Sequence, residues 1–454
     1  MPKQLTNVEP VNDYATIHPA LDFWDGIAIV SVGCKWQENW TLTDKYGNPN
    51  GSEIHFTNNP YCVLSTGDKF RFSKEELAKR QLFYSGKIEL PEQSRWSYED
   101  IHKFDEDGKS LSFPKLFKLI RDEFEYYLDY IDDRYFDLMA CFVIYTYFYP
   151  MFFNAPVLQL WGEMRSGKTK NLSLLEAMVF NPINSANISS SSVFRLVESR
   201  RSTILFDESE DLMSSERSRE IRNMLLAGTG KSGETFRQEK GDNDTYATRS
   251  FRVFSPKVIA NIAGIDLPAL LSRTIRISTV ATKNKTKDNR CVEIEDDKWQ
   301  AIRNELYRIC LDKHRYVESM RFSMNGGELS GRTYYIWQGI LTIARMVDNE
   351  ELLKNLMEFA KENREEMEAD IEEFSDDQQK IVRKLLELPL EEKQFYTNEE
   401  LMQHLTYDIG LHSSRDLGRK LSKLGFKSRV LREKEDCRRY YYLTKDKLER
   451  LKKW

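Results

Sequence analysis

The chain has 454 residues and a mass of 53.5 kDa, enough for several domains with their own cores, which excludes a small disulfide-stapled scaffold. Apolar residues make up 40% of it and aromatic residues 12%, too rich in core-forming side chains for a mainly disordered protein. The formal net charge of −5, from 67 basic and 72 acidic residues, leaves nucleic-acid binding open until the charges are located.

The cysteines and the apolar runs bear on the compartment. The six cysteines lie far apart without a Cys-x-x-Cys pair, which suggests neither a zinc site nor a disulfide framework. This cysteine usage favours a reducing cytoplasm. The first residues lack the apolar core of a signal peptide. The longest apolar run, Met139 to Phe153, contains Pro150 and is shorter than the roughly 20 residues that span a bilayer. We therefore expect a cytoplasmic protein, without a membrane partner, in which this run is a buried helix.

Taken in chain order, the sequence pattern divides into five regions. Residues 1–108 mix short β-branched runs with Gly/Asn/Asp turn clusters, which is typical of a small β-rich domain. Residues 109–154 place apolar side chains at helical spacing and form a linker region. Residues 155–285 alternate apolar runs with helical stretches, which predicts a parallel sheet flanked by helices. Residues 286–375 look helical throughout, and residues 376–454 combine short helices with a charged hairpin.

The strongest motif opens the third region. A strand-like run ending at Trp161 is followed by a full match to the phosphate-binding loop pattern GxxxxGK[ST] and then by a helix-like run; the loop residues are Gly162, Glu163, Met164, Arg165, Ser166, Gly167, Lys168 and Thr169. Backbone N–H groups and the positive helix end of such a loop face phosphate oxygens. Lys168 would reach the β- and γ-phosphates and the Thr169 hydroxyl would hold Mg²⁺. The motif therefore predicts ATP and Mg²⁺ as ligands, against the alternative of a ligand-free turn.

A second acidic motif follows 39 residues after Lys168. The apolar run Thr203 to Phe206 ends in Asp207 and Glu208. Asp207 would hold Mg²⁺ and Glu208 would orient and deprotonate the attacking water. Because hydrolysis needs a water molecule aligned with the γ-phosphate, the adjacent acid favours an ATP hydrolase, although strands ending in Asp-Glu also occur as structural features.

Two further features complete the predicted ATPase site. A third apolar run ends in Asn261, which we interpret as a sensor of the attacking water or the γ-phosphate, although Asn at a strand end also favours a turn. Twelve residues on, an apolar stretch carries Arg273 and Arg276. We interpret Arg273 as an arginine finger for a neighbouring subunit's γ-phosphate, with Arg276 in reserve and surface salt bridges as the alternative.

These motifs together resemble a known family. The order of the P-loop, Phe206-Asp207-Glu208, Asn261 and Leu271-Ser272-Arg273 resembles AAA+ ATPases, among them the minichromosome-maintenance and superfamily-3 helicases and related ATPases of phages, plasmids and integrated elements. The resemblance covers about residues 155–345. It implies a P-loop NTPase core, the finger role for Arg273, and a second sensor arginine in a helical lid, where Arg332 stands at the matching position.

The resemblance also suggests where DNA binds. Residues 234–252 form two β-like arms around a Gly/Asp/Asn turn, where the related helicases place a hairpin that points into the channel of a ring. By that analogy Lys240 would contact a phosphate of single-stranded DNA, with Arg237 and Arg249 in support. Exposed hairpin tips also carry charge without any such role.

The C-terminal end is strongly basic. Residues 350–377 hold twelve acidic and three basic residues, whereas residues 413–454 hold fifteen basic and six acidic ones, so the small total conceals opposite charges. Two helix-like runs and a hairpin at this end resemble a winged helix. The local charge favours single-stranded or duplex DNA over a protein partner. The candidate DNA contacts are Arg415, Arg419, Lys420 and Lys423.

The sequence thus predicts an α/β protein: an AAA+ P-loop NTPase core with a β-rich N-terminal domain, a helical lid and a C-terminal winged helix. We expect an ATP-dependent motor that forms a homo-oligomer, a hexameric ring, and unwinds DNA in the replication of a mobile element. Two alternatives remain: a helicase loader or remodeller that does not unwind DNA, and a replication initiator for which ATP is only an assembly switch.

Overall fold

The computed structural model describes residues 13–44, 46–91, 93–105, 110–184, 190–207, 219–240, 246–262, 265, 267–390, 394–409, 413, 417–418, 420–421, 424, 426, 428–433, 436–445 and 448. The chain divides into two compact units, Met1–Arg364 and Glu365–Trp454. The finer division into five regions stays a prediction.

The first unit begins with a β-rich segment. Its elements are β1 (Ala15–Thr16), β2 (Leu21–Trp24), β3 (Ile27–Thr43), β4 (Pro49–Leu64), β5 (Lys69–Arg71), α1 (Lys74–Ala78), β6 (Leu82–Phe83) and α2 (Tyr98–Lys103). Strands β2-β3-β4-β5 form an antiparallel sheet. Leu21, Val30 and Val63 from this sheet belong to the same apolar core as the helices and the parallel sheet that follow. The N-terminal strands therefore share a core with the rest of the unit.

Two helices connect this sheet to the next. They are α3 (Phe113–Tyr127) and α4 (Arg134–Tyr145), followed by a 3-10 turn at Tyr149–Met151. Leu116, Ile120 and Phe124 recur every fourth residue on α3 and are fully buried. The apolar run through α4 is buried in the core, as expected. Among the described residues, no helix is long and apolar enough to cross a membrane.

A five-stranded sheet forms the centre of the first unit. Its segment contains β7 (Val157–Trp161), α5 (Lys168–Met178), β8 (Pro182–Asn184), α6 (Ser190–Arg200), β9 (Thr203–Phe206), α7 (Arg219–Ala227), β10 (Glu234–Lys240), β11 (Tyr246–Arg252), β12 (Lys257–Asn261), α8 (Pro268–Leu271) and β13 (Thr274–Ser278). The sheet order is β13-β7-β12-β9-β8 and every pair is parallel. This confirms the predicted parallel sheet flanked by helices.

The strand order fixes what lies at each edge of the sheet. Because all five strands run the same way, their carboxyl ends meet at one edge. Strand β12 lies between β7 and β9, which places Asn261 between the P-loop and Asp207 along that edge. Leu158 and Ala260 turn into the main core, and their neighbours Gln159 and Asn261 lie on the opposite face.

The first unit ends in helices. They are α9 (Lys285–Asp288), α10 (Asp297–Ser323), α11 (Gly331–Met346) and α12 (Glu350–Leu385), the last of which continues into the second unit. Aromatic rings anchor them to the core, as when Tyr307 stacks on Trp96 with ring centroids 5.2 Å apart. The helical content of this region matches the sequence pattern, while its role as a lid stays a prediction.

The second unit contains β14 (Phe395–Thr397), α13 (Asn398–Ile409), β15 (Ser428–Glu433) and β16 (Asp436–Tyr442) after the end of α12. The strands form an antiparallel sheet in the order β14-β16-β15. Its own core includes Leu401, Leu417 and Tyr441. The winged-helix assignment stays a prediction: Lys420 is half-buried and helical, and the predicted DNA contacts at 415, 419 and 423 (Arg415, Arg419 and Lys423) lie outside the described residues.

Candidate nucleotide-binding site

The P-loop connects the end of β7 to the start of α5. Gly167 caps the helix with a φ of 86°, in the left-handed region that favours glycine. Arg165 also has a positive φ, of 65°. These turns bring the chain round so that the first N–H groups of α5, which have no partner within the helix, face the loop. An anion is the natural partner for such a helix start.

Gly162 is required by close packing against the chain that follows β13. A Cβ atom at this position would lie 2.3 Å from the Thr279 carbonyl oxygen and 2.4 Å from its hydroxyl oxygen. The Thr279 hydroxyl donates to the Trp161 carbonyl at 3.1 Å and lies 2.7 Å from the buried Ser166 hydroxyl. Since the one proton of the Thr279 hydroxyl is donated to Trp161, the Ser166 hydroxyl donates to Thr279. Thr279 thus holds the P-loop in place, a role that sequence reasoning missed.

Lys168 lies across the mouth of the loop. Its Nζ donates to the carbonyl oxygens of Gly162 at 2.7 Å and of Glu163 at 2.8 Å. Glu163, Met164 and Arg165 are exposed at the rim, with Met164 at 73%. The ammonium group is therefore held where the backbone N–H groups and the start of α5 would place phosphate oxygens.

Thr169 and Asp207 come together across the sheet edge. The Thr169 hydroxyl donates to Asp207 Oδ2 at 3.3 Å. A hydroxyl and a carboxylate oxygen are the hard ligands that Mg²⁺ prefers, so the pair fits this ion. No group of three or more His, Cys, Asp or Glu side chains suited to a metal occurs among the described residues. Glu208, the predicted base, lies outside the described residues.

Asn261 is buried, with 1% of its surface exposed, in a row of polar side chains. Its Oδ1 accepts from Gln159 Nε2 at 3.0 Å, and Gln159 Oε1 accepts from Arg276 Nε at 3.2 Å. The Arg276 guanidinium also lies 5.0 Å from the Trp161 ring centre. Because Arg276 is only 6% exposed and is held in this row, it does not suit the reserve role of a finger reaching another subunit.

Arg273 and Arg332 lie at the opposite edge of the sheet, where the parallel strands begin. The Arg273 carbonyl accepts from Val157 N at 3.1 Å, at the start of β7, whereas the P-loop follows the end of that strand, about 15 Å away at 3.3 Å per residue. Arg273 donates to the Ala269 carbonyl, and Arg332 donates to the Ser272 hydroxyl at 2.7 Å. Burial, and next the nearby Arg332, lower the pKa of Arg273. The structure brings these two arginines together but not with their own P-loop.

The hairpin β10–β11 is fastened to the helices behind it. Arg237 and Arg249 are direct cross-strand partners, and two carboxylates offset their repulsion. Arg237 pairs with Glu220 of α7, and Arg249 with Glu198 of α6 at 2.9 Å. Both predicted supporting cations therefore bind acidic side chains of their own chain. Lys240 ends β10, but its side chain and the turn at 241–245 lie outside the described residues.

A second contact to the P-loop comes from the linker between α3 and α4. The Tyr130 hydroxyl donates to Asn171 Oδ1, and Asn171 Nδ2 donates to the Gly167 carbonyl at 3.0 Å. Burial raises the pKa of Tyr130 far above its ordinary value, so its hydroxyl stays a donor. Sequence reasoning missed this tyrosine because nothing local marks it. Gln159, in contrast, carried a signal as a lone polar residue in an apolar strand.

No family model and no curated protein matches the chain. Among solved structures, it is similar to the active helicase Cch of SCCmec type IV, with 10% identity over 98% of this chain and 100% of that one, and a TM-score of 0.41. It is also similar to the C-terminal region of NrS-1 in its apo form, with 13% identity over 85% of this chain and 94% of that one, and a TM-score of 0.31. At these TM-scores the geometry of the site has to carry any functional argument.

Proposed function

We propose that this protein is an ATP- and Mg²⁺-dependent motor that acts on DNA, a ring-forming helicase with an AAA+ core. One observation carries the nucleotide part of the proposal: the P-loop ends at the start of a helix whose second residue, Thr169, donates to Asp207 at 3.3 Å. A phosphate cradle and an oxygen pair suited to Mg²⁺ thus meet at the start of α5, as nucleotide hydrolysis requires.

The residues of the loop have separate tasks in this proposal. The first N–H groups of α5 bind phosphate oxygens, and the Lys168 ammonium exchanges the carbonyls of Gly162 and Glu163 for the β- and γ-phosphates. Mg²⁺, held through Thr169 and Asp207, would supply charge neutralisation on the phosphate oxygens. Glu208, adjacent to Asp207 in the sequence, is proposed to take the proton of the attacking water.

The oligomer follows from the separation of the two arginines from the P-loop. Arg273 and Arg332 are held at the opposite sheet edge, so a role in hydrolysis requires the nucleotide of a neighbouring subunit. Contact between one subunit's P-loop edge and the next subunit's arginine edge is head-to-tail, and such an interface forms a ring when its rotation closes. We propose a homohexamer of this kind.

The DNA contacts are proposed from charge and position. Lys240, at the end of β10, is the candidate in the channel. The basic C-terminal unit is the candidate for a second, duplex or single-stranded, contact, whose affinity would fall steeply with salt. Replication of a mobile element is the proposed setting, on the motif resemblance alone.

The test combines ATP turnover with strand displacement. Lys168→Ala is expected to abolish Mg²⁺-dependent ATP hydrolysis and the unwinding of a forked DNA duplex. Lys170→Ala is the matched control, because Lys170 lies on the same helix but donates to the carbonyls of Lys287 and Asp288 at 2.7 and 3.0 Å. A wild-type protein that binds no ATP would overturn the proposal. Hydrolysis without unwinding would favour a loader or remodeller, and binding without turnover would favour an initiator switched by ATP.

A further inference from the structure

Gln159 is a fully buried polar side chain in β7, an interior strand of the parallel sheet. Burial of an amide without hydrogen bonds is unfavourable, so its partners decide whether the position is tolerated. Both ends of this amide are bonded to side chains: Oε1 to Arg276 Nε at 3.2 Å and Nε2 to Asn261 Oδ1 at 3.0 Å. The residue therefore links the candidate sensor to a buried cation.

The strand register explains how these three side chains meet. Arg276 is the direct partner of Gln159 across β13 and β7, and Asn261 is the partner of Trp161 across β12 and β7. Residues in register, or two apart, lie on the same face of a parallel sheet. The Trp161 ring lies 5.0 Å from the Arg276 guanidinium, and Asn363 donates to the backbone carbonyl of Arg276 at 3.4 Å.

The chemistry of arginine fixes the direction of this row. A guanidinium has only donors, so Gln159 has to turn its carbonyl oxygen to Arg276 and its NH₂ group to Asn261. Asn261 must then turn its own carbonyl oxygen to Gln159, since two NH₂ groups do not bond each other. The end of the Asn261 amide turned away from Gln159 is consequently its NH₂ group.

We propose that Gln159 and Arg276 are positioning residues that make Asn261 a hydrogen-bond donor toward the γ-phosphate of a nucleoside triphosphate. Phosphate oxygens only accept hydrogen bonds, so a donor binds them and a carbonyl oxygen would repel them. The row thereby favours triphosphate over diphosphate, and it assigns Asn261 to a phosphate oxygen rather than to the proton of the attacking water. This inference rests on the proposed nucleotide site.

Gln159→Glu tests the direction of the row without removing it. A carboxylate accepts from Arg276 but offers no donor, so Asn261 would turn its NH₂ group to the new side chain and its oxygen to the phosphate. We expect affinity for a non-hydrolysable ATP analogue to fall about tenfold or more, the value of one hydrogen bond to a charged group, and affinity for ADP to stay unchanged. Both are measured by titration calorimetry with Mg²⁺.

Two variants at Arg276 form the matched pair. Arg276→Lys keeps a side chain with donors only and is expected to keep the preference for the ATP analogue over ADP. In Arg276→Gln the new amide can present an oxygen to Gln159 instead. The Gln159 and Asn261 amides can then turn either way, which is expected to lower the preference for the ATP analogue over ADP. This pair decides the question if thermal unfolding shows that Gln159→Glu is not folded.

The outcomes separate this inference from the function it rests on. If Gln159→Glu prefers the ATP analogue over ADP as strongly as the wild type does, or loses equal affinity for both nucleotides, the positioning role is overturned and the ATPase proposal stays intact. A wild-type protein that binds neither nucleotide would overturn the ATPase proposal and this inference with it.

Discussion

Arg332 donates a hydrogen bond of 2.7 Å to the hydroxyl of Ser272, which joins the start of α11 to the turn that carries Arg273. A cation near the first turn of a helix is disfavoured by the helix dipole. The neighbouring Arg332 also lowers the pKa of the partly buried Arg273, after burial itself. Two like charges held together in this way suit the binding of an anion, and their own P-loop lies at the opposite sheet edge.

Arg273→Ala and Arg332→Ala are each expected to lower ATP hydrolysis by roughly 10³-fold, the usual scale for a finger arginine. Binding of an ATP analogue to the altered subunit's own P-loop should persist, because neither side chain reaches it. The measurements are steady-state ATPase rates and titration of the analogue.

Mixing altered subunits tests whether these arginines act on a neighbour. Combining Arg273→Ala with Lys168→Ala protein creates interfaces that pair an intact P-loop with an intact arginine, so hydrolysis should reappear in the mixture. Mixtures of Arg273→Ala with Arg332→Ala serve as the control: every subunit there lacks one of the two arginines, so no interface carries both and hydrolysis should not reappear. Continued inactivity of the first mixture, in assemblies shown to contain both proteins, would contradict action across subunits.

The sequence could predict the features that consecutive residues encode. The P-loop and the strand ending in Asp207 are local patterns, and the alternation of strands and helices was enough to predict the parallel sheet. Contacts that depend on strand register could not be predicted from the sequence. Nothing in the sequence pairs Gln159 with Arg276, so Arg276 was kept in reserve as a finger. The same holds for Thr279, which follows the carboxyl end of β13 and contacts Ser166 of the P-loop.

Gly162→Ala is expected to weaken both the fold and nucleotide binding. The new Cβ would lie 2.3 Å from the Thr279 carbonyl oxygen, so β13 and the loop have to move apart, at a cost of about 1–3 kcal/mol. Gly230→Ala is the matched control, because the nearest atom to its Cβ is 4.0 Å away. Thermal unfolding with and without ATP and Mg²⁺ compares the two, and similar behaviour of both variants would contradict the packing argument.

Lys240 and Arg249 are expected to differ although both lie on the hairpin. Lys240→Ala should weaken DNA binding, reduce the salt dependence by about one counterion and lower DNA-stimulated hydrolysis. Arg249→Ala removes the ion pair to Glu198, so it should change stability by about 1 kcal/mol or less and leave that salt dependence unchanged. Lys118→Ala, which removes an exposed cation from α3, controls for loss of charge. Unchanged DNA affinity and stimulation in Lys240→Ala would eliminate this contact.

Lys257 provides a pH test of the same strand that carries Asn261. Its Nζ is buried and donates to the carbonyls of Gly228 and Ser255, both at 2.6 Å. Burial lowers the pKa of Lys257 to about 7 in the folded protein, against about 10.4 in an unfolded chain. Between these values the unfolded chain binds a proton that the folded protein does not, so this lysine makes stability rise with pH.

Lys257→Met removes that dependence. The free energy of unfolding of the wild type, measured with urea relative to the variant, should be flat below pH 7 and rise by up to about 1.4 kcal/mol per unit from pH 7 to pH 9. All other titrating groups are shared, so the difference isolates Lys257. The two hydrogen bonds to carbonyls favour the ammonium form and so affect where the rise begins, while the lost partners of those carbonyls shift the variant by a constant amount. A difference that stays constant from pH 7 to pH 9 would mean that burial is offset by these two bonds and that Lys257 remains charged in the folded protein.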